Sequence, residues 1–102
     1  MISLIKDNLP AIEALCQAYE VVRLDVFGSA ASGGFDAEAS DLDFLVEFKP
    51  REPGALADAY FGLLAELKNV FHRHIDLLTP GAIRNPYLKR GIEDTRQVLY
   101  AA

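Results

Sequence analysis

Asp41 and Asp43 stand two residues apart in Asp41-Leu42-Asp43-Phe44-Leu45-Val46, a run otherwise apolar enough to be core. The alternation predicts a strand over 41–48. Leu42, Phe44, Val46 and Phe48 then share one face, and Asp41, Asp43, Leu45 and Glu47 the other. The two carboxylates are neighbours about 7 Å apart along such a strand. Ionised in a low-dielectric setting they repel, so one takes up a proton unless a cation joins them. A hard divalent ion removes the conflict, and magnesium asks for only a few carboxylates, with waters and substrate phosphates completing its shell. Asp76, in the apolar stretch Ile75-Asp76-Leu77-Leu78, is the candidate third acid if its strand lies beside 41–48. Three carboxylates can hold two ions, one carrying a triphosphate and one acidifying an attacking hydroxyl.

Gly28-Ser29 supplies what the acids lack. Glycine lets backbone approach a phosphate closely, serine offers a hydroxyl and an amide, and a helical turn starting at Ser29 would aim further N–H groups at the same anion. Val21 to Phe27 alternates as a strand leading into this pair, with Val22, Leu24 and Val26 on one face and Arg23 and Asp25 on the other. Gly33-Gly34 marks the loop that separates it from Ser40-Asp41. The loop is not a P-loop, because the Lys-Ser/Thr ending is missing.

The positioning elements follow from periodicity. A short turn is expected at 3–7 and a helix at about 9–19, capped by Asn8 ahead of Pro10. Leu56, Tyr60, Leu63, Leu64, Leu67, Val70 and Phe71 define a helix over 55–71, which Pro53 suits at its first turn. Ile75 to Leu78 is a third strand. Asn85-Pro86 opens a last helix to about Val98, with Leu88, Ile92, Thr95 and Leu99 inward. The order helix, strand, strand, helix, strand, helix predicts an α+β fold, a small mixed β-sheet packed by helices.

Gly28-Ser29 followed by Asp41-Leu42-Asp43 resembles the signature of the DNA polymerase β-like nucleotidyltransferase superfamily. The likeness is closest to its minimal nucleotidyltransferase (MNT) group and runs nearly end to end, through Val22-Arg23-Leu24-Asp25-Val26-Phe27, Ile75-Asp76-Leu77-Leu78-Thr79 and Asn85-Pro86-Tyr87. The resemblance implies the polymerase β-like nucleotidyltransferase fold. It implies Asp41, Asp43 and Asp76 as catalytic carboxylates that bind two Mg²⁺ ions, and Gly28, Ser29 and Ser40 as nucleotide-binding. Many MNT proteins resemble antitoxins paired with a HEPN-domain ribonuclease toxin. The implied activity is transfer of AMP from ATP to a tyrosine hydroxyl of that toxin. Two alternatives remain: neutralisation by binding without catalysis, and transfer to a small hydroxyl compound. Two departures from the pattern stand between Ser29 and Asp41. The spacer Ala30 to Ser40 is eleven residues, one more than usual, and Ser32 occupies a place where Arg or Thr is frequent.

Composition narrows the setting. At 102 residues and 51% apolar, the chain is expected to form one domain, 1–102, with a core of its own. With so little room for an acceptor-binding domain, the acceptor is expected to arrive on a partner. The net charge of −5 argues against a general nucleic-acid binder. Cys16 is the single cysteine, so no intrachain disulfide can form, and a cytoplasmic setting is expected. No apolar run is long enough to span a membrane. Blander roles are expected elsewhere. Asp25 and Arg23 suit a surface ion pair. His72 and His74, flanking Arg73, suit a helix C-terminus better than a transition metal. Arg84, Lys89 and Arg90 suit a solvated face. Tyr60, Phe61, Phe71 and Tyr87 suit the core.

Overall fold

A computed structural model describes residues 2–32 and 41–102. Helix α1 (Ser3–Lys6) and helix α2 (Leu9–Ala18) precede strand β1 (Val21–Phe27) and a single helical turn, α3 (Ser29–Ser32). Strand β2 (Leu42–Phe48), helix α4 (Pro53–Phe71) and strand β3 (Ile75–Leu78) follow. A 3₁₀ turn (Pro80–Ala82), helix α5 (Pro86–Thr95) and strand β4 (Gln97–Ala101) complete the chain. The sheet has the order β3-β2-β1-β4. β1 runs antiparallel to both β2 and β4, whereas β2 and β3 are parallel. Parallel neighbours need a long crossover, and α4 provides it.

The two faces of the sheet are unequal. Leu24, Val26, Leu42, Phe44, Val46, Ile75 and Leu77 form the main core with Ile12 and Cys16 of α2 and Leu63, Leu67 and Phe71 of α4. On the opposite face Phe27 and Leu45 meet Ile92 of α5, with Leu78 and Ile83 packed alongside. Alternation along β2 and β3 puts Asp43 and Asp76 on this thinner face. Burial keeps the Cys16 thiol protonated, pushing it up to about 12 with help from Glu13.

Several elements depart from expectation for identifiable reasons. The last helix does not reach Val98: it ends at Thr95, and Arg96 leaves it in an extended conformation (φ −59°, ψ 138°). Gln97 to Ala101 becomes a fourth strand on the open edge of β1, so Leu99 is buried from a strand and Leu88 stays exposed. Asn8 does not cap α2 with its side chain; its Nδ2 donates back to the Leu4 carbonyl at 2.8 Å. A register shift between Val21 and Arg23 turns Val21, and not Val22, into the core. Asn85, by contrast, caps α5 as expected, accepting from the amides of Tyr87 and Leu88. Phe71 is buried and the Tyr60 hydroxyl donates to the Leu77 carbonyl at 2.6 Å. Phe61 and Tyr87 are 64% and 86% exposed, so neither belongs to the core.

Candidate active site

Register brings the distant acids together. Asp43 of β2 is paired with Asp76 of β3 across the parallel ladder, and with Phe27 of β1 on its other side. Adjacent strands lie about 4.8 Å apart, so the two carboxylates are side-by-side neighbours on one face. The Asp43 carboxyl is pushed up to about 6. Burial is the main cause; a hydrogen bond with Asp76 and the charges of Asp76 and Asp41 add to it, and His74 works against it. The repulsion expected from sequence therefore operates between β2 and β3 as well as along β2.

Asp41 lies just ahead of β2 and is exposed. One ligand atom each from Asp41, His74 and Asp76 lie within 4.8 Å of one another. His74 Nε2 is 2.9 Å from Asp76 Oδ1. His74 is thus drawn into the acidic cluster, which the helix-end reading of His72 and His74 did not anticipate. That reading holds for His72 alone, the left-handed residue that ends α4 (φ 53°). The signal for His74 was its spacing: two residues before Asp76, it falls on the same side of an extended chain. The donor set suits a divalent cation, since clustered carboxylates that share a proton can exchange it for a metal.

Gly28 closes the site from β1. It has φ +71°, a left-handed conformation that favours glycine. A Cβ placed on it would lie 2.7 Å from Oδ2 of Asp43. The backbone that leads into Ser29 is therefore in contact with a site carboxylate. Ser29 begins α3, whose turn is closed by the amides of Ala31 and Ser32 donating to the Gly28 carbonyl. The Gly28 amide itself donates to Thr95 Oγ1 at 2.9 Å. Ser40 lies outside the described residues, as do Gly33 and Gly34.

Behind the site stands a charge cluster of a different kind. Asp25, expected at the surface, is 0% exposed. It accepts from Arg23 Nε at 2.9 Å, as the sequence suggested, and also from Arg96 Nε at 2.6 Å. Arg96 donates in turn to Glu93 at 3.0 Å. A burial this complete demands two cationic partners, and nothing local in the sequence revealed the second, 71 residues away.

Of the concavities beside the sheet among the described residues, two bear on where a ligand could sit. One, of about 190 Å³, lies beyond Leu45 and Glu47 under α5, and Lys89 and Arg96 contribute to its wall. The other, about 460 Å³, is an apolar groove along the edge of β3 between Leu77, Leu78, Leu56 and Phe61. The lining of the larger groove contains no acid, so it lies apart from the carboxylate cluster.

Comparison with known proteins then fixes the family. A model of the nucleotidyltransferase domain matches residues 11–99. The chain belongs to the nucleotidyltransferase domain family. A Methanocaldococcus jannaschii protein named as a protein adenylyltransferase is 38% identical over 94 residues, 91% of this chain and 92% of that one. A solved structure described as a minimal nucleotidyltransferase is 27% identical, with a TM-score of 0.64 over 90% of this chain and 89% of that one. The fold also matches a chain of the tri-AMPylated Shewanella oneidensis HEPN toxin in complex with its MNT antitoxin. There the TM-score is 0.63 at 16% identity, over 96% of this chain and 73% of that one. The mixed four-stranded sheet with helices on both faces is thus the nucleotidyltransferase fold expected from the sequence. No helix among the described residues is long and apolar enough to cross a membrane.

Proposed function

We propose that this protein is an antitoxin that moves AMP from ATP to a tyrosine hydroxyl of a HEPN ribonuclease toxin. The observation that carries the reading is the alignment of Asp43 with Asp76 across β2 and β3, with Gly28 against Asp43. The protein-adenylyltransferase name of the M. jannaschii relative and the fold shared with a chain of a HEPN toxin–MNT antitoxin complex support the acceptor class. Residues 1–102 act as one minimal nucleotidyltransferase domain in the cytoplasm, where ATP is supplied.

Two Mg²⁺ ions would be held by Asp41, Asp43 and Asp76, and the nucleotide phosphates by Gly28, Ser29 and Ser40. Bound there, the metal supplies neutralisation of the triphosphate and acidification of the attacking hydroxyl. Asp43 would have to release its shared proton to serve as a ligand, so metal affinity would depend on pH. The left-handed Gly28 leaves room for Asp43 and directs the chain into Ser29, whose hydroxyl and amide face the phosphate. The tyrosine oxygen forms a bond to the α-phosphorus as the bond to pyrophosphate breaks; the phenolic proton passes to solvent and pyrophosphate departs.

The test is the intact mass of a HEPN toxin co-purified with this protein, after incubation with ATP and Mg²⁺. The toxin is expected to gain AMP, and peptide sequencing to place it on tyrosine. An unchanged mass would overturn the reading. The double variant Asp41→Asn, Asp43→Asn is expected to leave the toxin unmodified and active; full neutralisation by that variant would instead establish control by binding alone.

A further inference from the structure

We propose that Thr95 is a positioning residue for nucleotide binding: it fastens the Gly28-Ser29 backbone to the C-terminal end of α5. The inference rests on the phosphate-holding role given above to Gly28 and Ser29. The Thr95 hydroxyl uses both of its capacities. It donates to the Gly91 carbonyl one turn back, at 2.8 Å. It accepts from the Gly28 amide, at 2.9 Å. The first bond orients the hydroxyl so that its lone pair meets the second.

The anchored residue has a geometry with little tolerance. Gly28 holds a left-handed φ and has no space for even a methyl group between itself and Asp43. A small rotation at Gly28 would move Ser29 relative to Asp43, and so change the gap between phosphate donors and metal ligands. The next residue, Arg96, is fixed independently on buried Asp25 of β1. Thr95 is therefore held from both sides: by its own helix and by the ion pair of Arg96 to β1, the strand that leads into Gly28. That makes it a firm point of attachment, and not a side chain that follows the loop.

The experiment compares wild type with Thr95→Val, which keeps the shape and loses the hydroxyl, and Thr95→Ser, which keeps the hydroxyl. Amide hydrogen exchange by NMR reads the link without nucleotide. Thr95→Val is expected to speed exchange at Gly28 roughly tenfold, the loss of about one hydrogen bond, while Thr95→Ser stays within about twofold of wild type. Isothermal titration with ATP and Mg²⁺ reads the consequence. Affinity is expected to fall roughly five- to tenfold in Thr95→Val and to be restored in Thr95→Ser. In turnover, KM for ATP is expected to rise more than kcat falls. A Thr95→Val protein with wild-type Gly28 exchange, or with faster exchange and unchanged ATP affinity, overturns the inference and leaves the function proposed above intact. Failure of wild type itself to bind ATP overturns both. If Thr95→Val fails to fold, a Thr95→Ala variant with the same two readouts decides in the same way.

Discussion

Replacing Gly28 by alanine tests the closest contact in the site, and its cost can be worked from two separate terms. At φ +71° an alanine is in a left-handed conformation, which costs a residue with a Cβ about 1–2 kcal/mol. The new Cβ would also stand 2.7 Å from Oδ2 of Asp43. The far end of a side chain can yield, so the carboxylate turns away, at about 0.5–1.5 kcal/mol for an off-rotamer position. Together these predict a loss of about 1.5–3.5 kcal/mol, which a domain stable by ~5–15 kcal/mol survives. At roughly 4–5 °C per kcal/mol for a domain of this size, that is a fall of roughly 6–18 °C in Tm. The two terms differ in what they damage. The backbone term affects stability, while the displaced Asp43 affects the metal site, so AMP transfer should fall even under conditions where the variant is fully folded. Urea unfolding and a single-turnover transfer assay read the two parts. Gly54→Ala is the control, since a Cβ there meets nothing within 4 Å. A Gly28→Ala protein as stable as that control and transferring AMP at the wild-type rate would refute the argument.

Three further outcomes follow from the same geometry. Arg96→Met leaves fully buried Asp25 with only Arg23, and should cost about 2–3 kcal/mol by urea unfolding. Adding Asp25→Leu should recover part of that loss, and a double variant no better than the single would count against the ion-pair account. Metal-free protein should lose stability as pH rises from about 4 to about 6. Asp43, raised to about 6 mainly by burial and then by Asp76, binds its proton more tightly folded than unfolded, so its contribution is complete below its unfolded value and gone above about 6. Solvent screening of this half-buried group limits the change to about 1 kcal/mol. Urea midpoints in chelator should show this slope, and Asp43→Asn should flatten it. His74→Ala should weaken Mn²⁺ binding, followed by electron paramagnetic resonance, roughly tenfold, and Mg²⁺ binding by less, because imidazole favours the later metal. Equal losses would place His74 outside the ligand set.

The strands that carry the acids were legible because two-residue alternation survives any tertiary context that buries one face. Val21–Phe27 and Ile75–Leu78 were read with the bounds they have, and β2 differs only in beginning one residue after Asp41. The juxtaposition of Asp43 and Asp76 was conditional on strand order, which the α4 crossover then supplied. Much of what sequence hid was groups whose partners lie far along the chain. Val98, Leu99 and Tyr100 fit the end of a helix until β1 offers an unpaired edge, and then their β propensity decides. Asp25 beside Arg23 looks like a surface pair because Arg96 is needed to justify its burial. Thr95 looks like one inward position of a helix, since its partner is an amide and amides carry no sequence signal. Phe61 and Tyr87 were misplaced for the opposite reason: aromatic character predicts burial on average, and these two face outward.

The fastening of Gly28 by Thr95 also sets an order in time. Ribosomes add about 5–20 residues per second, and Thr95 follows Gly28 by 67 residues. Every nascent chain therefore spends roughly 3–13 s with its Gly-Ser turn made and its anchor not yet synthesised. Asp25 waits still longer for Arg96, 71 residues behind it. Chains still on the ribosome thus carry the acids of β2 and β3 without the means to hold the turn beside them, and truncated products ending before α5 should be inert toward ATP.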